Sequence, residues 1–170
     1  MNAIEILTDL AERTRESAEA LRPSLTPELL NAHPHHDNSV AWLLWHAARE
    51  LDEQLSHLSG DEPVWTAQGF EQRFALGTAA HEIGYGHSSA EARAIRVDDA
   101  ELLLEHLDAV VAAQLSYLRT LSDASLDEIV DEQWDPPVSR GARLVSISVD
   151  AITHVGQAAY ITGMGRAAFE

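Results

Sequence analysis

Apolar residues recur at three- and four-residue steps in four long stretches of this chain, and that period commits it to packed helices. In the first stretch Ile4, Leu7, Leu10, Ala11, Thr14, Ala18 and Leu21 share one face, and Arg22-Pro23-Ser24 ends it. A second helix is predicted over 39–58. Its start is almost wholly apolar (Val40, Trp42, Leu43, Leu44, Trp45), its later half carries Arg49, Glu50, Asp52 and Glu53, and Gly60-Asp61-Glu62-Pro63 stops it. The third runs over 98–121, with Leu103, Leu104, Leu107, Val110, Val111, Leu115 and Leu118 as its buried stripe. Asp98 and Glu101 resemble its capping box. The last, over 145–168, is rich in Ala and Gly, small residues that let a neighbouring helix approach closely.

The connections are punctuated rather than patterned. Thr26-Pro27-Glu28 reads as a cap with proline at the first helical position, opening a single turn through Leu30. A polar loop over 31–38 holds His33, His35 and His36. Gly69, Gly77, Gly84 and Gly86 break up the long excursion over 60–97, where 70–74 is the one predicted helical turn. Ser125-Leu126-Asp127-Glu128 predicts another capped turn. Two prolines forbid a helix across Trp134-Asp135-Pro136-Pro137-Val138, so this is read as an extended segment, a loose hairpin closed around Arg140-Gly141. The sum is an all-α protein, a four-helix bundle with long connections, forming a single domain over 1–170.

Composition removes whole classes of chemistry. The 170 residues include no cysteine, which excludes disulfide scaffolds, zinc–cysteine sites, iron–sulfur clusters and a protein-borne thiol nucleophile. All 11 basic residues are arginine, so Schiff-base chemistry and a P-loop lysine are also excluded. A net charge of −17 argues against nucleic acid and against anionic membrane surfaces as partners. No apolar run reaches the ~18 residues of a membrane span, and the acidic first helix resembles no targeting signal. The expectation is a soluble cytoplasmic protein.

The candidate chemistry is histidine and carboxylate. Asp150 and His154 stand at i, i+4 and share a helix face, a geometry that suits two ligands of one divalent metal. His46 follows Trp42-Leu43-Leu44-Trp45 and is predicted to face inward. Together these three would make a two-histidine, one-carboxylate set with open positions, as in catalytic zinc and non-haem iron sites. The spacing alone leaves alternatives open: a chance D-x-x-x-H on a helix surface, and a hydrogen-bonded core histidine at 46. The denser His33, His35, His36 cluster sits in a loop without rigid support. His81 and His87 read as loop histidines, His57 and His106 as helix-surface ones.

The string Trp42-Leu43-Leu44-Trp45-His46, followed at helical order by Asp150-Ala151-Ile152-Thr153-His154-Val155-Gly156-Gln157, resembles the DinB-like superfamily of four-helix metalloproteins. The resemblance spans nearly the whole chain. It implies that His46, Asp150 and His154 hold one divalent metal, with Zn²⁺ the expected ion. The family usually has histidine where Asp150 stands, so nickel, iron and manganese stay open. Thiol-dependent enzymes are prominent among its members, including bacillithiol and mycothiol S-transferases and mycothiol-dependent isomerases. Glu132-Gln133-Trp134-Asp135-Pro136-Pro137 looks closest to the mycothiol S-transferase branch, and a lysine-free, alanine-rich chain fits an actinobacterial source. The resemblance thus implies a metal-dependent S-transferase that joins mycothiol to an electrophilic small molecule. The alternatives are a mycothiol-dependent isomerase and a non-enzymatic metal- or ligand-binding stress protein. Trp45, Trp134, Arg143 and Gln157 are the expected thiol contacts, and Glu50 or Arg49 the expected support for the His46 ring. A homodimer is compatible with such bundles, although no apolar stripe demands one.

Overall fold

Each long helix begins where a side chain can take up its free N–H groups. In the computed structural model, which describes residues 1–169, Asn2 and Glu5 form a capping box at the start of α1 (Ala3–Glu19). Ser39 caps α3 (Val40–Ser59), which Gly60 ends in a left-handed conformation at φ +79°. Asp99 caps α7 (Ala100–Leu118), and Ser139 caps α8 (Arg140–Met164). These four form a closed ring: α3 packs on α8 and α7, and α1 packs on the same two. The core is the shared interior of that ring, from Leu7 and Ala11 through Leu44 and Leu103 to Ile147 and Val155. The all-α expectation therefore holds.

Short elements fill the connections: α2 (Pro27–Leu30), α4 (Val64–Ala67), α5 (Phe70–Phe74) and α6 (Ser89–Ala94). The excursion over 60–97 is more ordered than its glycines suggest. Asp52, buried on α3, accepts the Val64 and Trp65 N–H groups at 2.8 Å each and so starts α4 from outside. Trp65 donates its indole N–H to the Ala80 carbonyl at 3.0 Å. This layer explains why residues 40–45 are all buried: the outer face of α3 is covered by the excursion, its inner face by the bundle.

Several local expectations are corrected. Asp98 does not cap α7; it accepts a hydrogen bond from Asn31 at 2.8 Å, and the neighbouring Asp99 takes the cap. Ser122, rather than Ser125, opens the short turn at 123–127. The hairpin is real but tiny: β1 (Ile129–Asp131) pairs antiparallel with β2 (Val138–Ser139). Its loop is 132–137, so Arg140 and Gly141 open the last helix instead of closing the hairpin, and α8 begins five residues earlier than the apolar pattern indicated. His106 is fully buried, not on the surface, because α4 and α5 lie over that face of α7. No helix among the described residues is long and apolar enough to cross a membrane.

Candidate metal centre

The antiparallel contact of α3 with α8 brings His46, Asp150 and His154 together. One potential ligand atom from each lies within 4.8 Å of the other two. The His46 and His154 rings meet edge to face with centroids 4.6 Å apart, and His154 Nε2 is 3.7 Å from Asp150 Oδ1. Among the described residues this is the one group of three or more metal-ligating side chains so clustered.

Both imidazoles are held by one nitrogen. His46 is 6% exposed, and its Nδ1 meets the Ile83 carbonyl. A carbonyl only accepts, so Nδ1 carries the proton and Nε2 keeps its lone pair. Burial pushes the His46 pKa down, against the pull of the Ile83 carbonyl, and favours the neutral ring a metal requires. His154 Nδ1 lies 2.9 Å from Gln157 Oε1. Donation to that oxygen likewise leaves Nε2 free, on the side of Asp150. Asp150 Oδ2 is buried without a hydrogen-bond partner. A buried carboxylate oxygen left unpaired is costly, and a cation beside it removes that cost. Two imidazole nitrogens, a carboxylate with an orphaned oxygen, and outer partners on both rings make a donor set that fits a divalent metal.

A backbone segment completes the support. Gly84, at φ +93°, lies against α3. A Cβ there would meet His46 Nδ1 at 2.7 Å and the Trp42 and Trp45 rings at 3.1 Å, so only glycine lets the chain present Ile83 so closely. Trp42 stacks on His46 with centroids 4.5 Å apart and donates its indole N–H to His87 Nδ1 at 3.2 Å. Neither Glu50 nor Arg49 hydrogen-bonds the His46 ring directly: Glu50 accepts from Gln54, and Arg49 donates to the Glu82 carbonyl at 3.3 Å. The support is a main-chain carbonyl, which carries no residue signature; the glycine at 84 was its only sequence trace.

The remaining candidates disperse. Gln157 holds His154 and lines a cleft of about 800 Å³ that reaches the metal group along α8. Trp45 is 0% exposed and stacked on His87, and offers no surface to a ligand. Trp134 is 65% exposed in the hairpin loop. Arg143 donates to Gln54 at 2.8 Å and to Asp131 at 2.6 Å, tying α3 and β1 to the start of α8. Two residues not expected in a site, His35 and His36, line the cleft beside His154. Their loop is tethered by Asp37, which accepts from Ser89 and, at 2.6 Å, from Arg93 of α6. His87, read as a loop histidine, is almost fully buried, with its Nε2 2.8 Å from the Glu82 carboxylate.

No curated protein matches the chain. Among solved structures it is similar to one described as the crystal structure of the conserved protein of locus from Enterococcus faecalis, with 35% identity, a TM-score of 0.88, and coverage of 98% of this chain and 97% of that one. The family model of the DinB superfamily matches residues 10–158, so the bundle and its His46, Asp150, His154 group are those of a chain that belongs to the DinB superfamily.

Proposed function

We propose that this chain is a metal-dependent S-transferase that joins the thiol of mycothiol to an electrophilic small molecule. The observation that carries this reading is the character of the cleft beside His154. Its lining combines Leu43, Ile161 and Met164 with His35, His36, Asn38, Thr153, Gln157 and Tyr160. Among the described residues its lining includes no aspartate, glutamate or arginine, although the chain holds 28 acidic and 11 basic residues. Thiols that carry carboxylates or phosphates call for basic partners. A cleft of amides, hydroxyls, imidazoles and apolar surface instead suits a neutral polyhydroxylated molecule, as the sugar–inositol body of mycothiol is.

His46, Asp150 and His154 would hold the metal, with Zn²⁺ the ion favoured by this donor set. Such an ion, when bound, lowers the pKa of a coordinated thiol so that the thiolate forms at neutral pH. The protein's own residues supply position. Ile83 and Gln157 fix the two rings, and Leu43, Ile161 and Met164 give the cleft an apolar wall that excludes water from the sulfur. His35, His36 and Gln157 provide hydrogen-bonding groups for hydroxyls. Across the reaction the S–H bond breaks and its proton leaves to solvent, a carbon–sulfur bond forms, and the bond from the electrophilic carbon to its leaving group (the halide of a halobimane) breaks with the electron pair leaving on that group.

Elemental analysis of the purified protein, followed by incubation with mycothiol and a bimane electrophile, tests the reading. Stoichiometric metal and consumption of thiol into a thioether are expected, with glutathione a poor substitute. If no metal is found and His154→Ala leaves conjugation intact, the reading is wrong. Thiol required but not consumed would make the protein an isomerase; thiol neither bound nor consumed would make it a binding protein.

A further inference from the structure

Arg49 is a buried charge with loose ionic pairing. It is 4% exposed, and its Nη1 has no hydrogen-bond partner. The nearest carboxylate, Asp52, stands 3.9 Å away and already accepts two backbone N–H groups. The guanidinium lies over the Trp65 ring at 4.7 Å. A buried ion pair this loose is weak evidence for a purely stabilising role, so the remaining polar contact of Arg49 bears on what it does. Among the described residues its one hydrogen bond runs from Nε to the Glu82 carbonyl. Residue 82 directly precedes Ile83, whose carbonyl holds His46.

The same segment is pinned from its other side. The Glu82 carboxylate meets His87 Nε2 at 2.8 Å, and His87 Nδ1 accepts the indole N–H of Trp42 at 3.2 Å. Trp42 stacks on His46. Residues 82–88 contain no helix or strand, so these side-chain contacts hold the carbonyl in place where a regular element would otherwise do so.

We propose that Arg49 and the Glu82–His87 pair are positioning residues. They clamp the strap of residues 82–84 against α3, so that the Ile83 carbonyl keeps His46 in its Nδ1–H tautomer with Nε2 free for a cation. The inference rests on the metal reading of His46 given above.

The test uses full-length protein labelled with ¹⁵N at histidine, free of metal, and a chelator competition for zinc. In the wild type His46 is expected to show a single tautomer, protonated at Nδ1. Arg49→Met, similar in length but uncharged, is expected to mix the tautomers and weaken zinc binding about 10-fold or more, the scale of losing an outer partner. Arg49→Lys is expected to recover part of both. Glu82→Gln, at an exposed side chain, is expected to give a smaller loss in the same direction. If folded Arg49→Met keeps the single tautomer and the wild-type zinc affinity, the proposal is overturned. If that variant does not fold, an unchanged tautomer and affinity in Glu82→Gln overturns it instead. Zinc that fails to bind the wild type sinks the metal reading; the tautomer measurement then still decides the clamp.

Discussion

His46 and His106 both lie buried on long helices of this bundle, in regions that treat them oppositely. His46 sits at the α3–α8 contact, with Nδ1 given to a carbonyl and Nε2 left at a cluster of ligand atoms. His106 sits on α7 under α4 and α5, 0% exposed, with neither ring nitrogen hydrogen-bonded. Its neighbours are the rings of Trp65, Phe70 and Phe74, with centroids 4.7 to 5.5 Å away. Burial holds its pKa down at about 3, with the Arg49 and Arg73 charges acting the same way. The first region equips an imidazole for chemistry; the second packs one as though it were an aromatic ring. Burial of a histidine therefore indicates function only together with what its nitrogens face.

The contrast can be broken most sharply at the ligands. His154→Ala should weaken zinc binding by more than the roughly 10–100-fold that loss of an outer partner costs, while the fold survives; retained affinity in a chelator competition would remove the metal centre. Gly84→Ala should weaken zinc by about 10–100-fold, because its methyl group displaces the strap that holds His46. The same titration checks it, and an unchanged affinity would mean the strap is dispensable.

On the other side of the comparison, His106→Leu should leave metal binding alone and stabilise the protein by about 1–3 kcal/mol in urea unfolding, since it removes unpaired buried nitrogens. A loss of stability would show that the ring nitrogens have partners. The pH dependence follows from the same residue. Below its ordinary pKa of 6.5 the unfolded chain binds a proton at 106 that the folded protein refuses until about pH 3. Stability should therefore fall as pH drops through that window, by up to about 1.4 kcal/mol per pH unit from this group, and His106→Leu should flatten the slope. The smallest effect belongs to Trp134→Ala: exposed in the hairpin loop, it should change stability by less than about 0.5 kcal/mol in thermal unfolding, so a loss of thiol affinity in that variant would report contact rather than folding.

The group able to hold a metal was legible. His46 follows a run of apolar residues that placed it inward, and Asp150 and His154 stand one turn apart on one helix. What the rings lean on was not. The Ile83 carbonyl lies 37 residues from His46 and is a group every residue possesses. His106 was misread for a related reason. The Leu and Val stripe of α7 faces the bundle, and only the chain returning as α4 and α5 reveals that the opposite face is covered too. The cleft was hidden in the same way: His35 and His36 read as solvated loop residues until Asp37 is seen bound to α6.

The sequence by itself determined the helices, their order and the residue types able to bind a metal, because periodicity, caps and i, i+4 spacing act within a few turns of chain. Tertiary structure decided which histidine is poised and which is packed, where the uncharged cleft opens, and how a glycine and a distant carbonyl orient a ring. Those properties depend on segments far apart in sequence that meet only when the excursion folds back over α3 and α7.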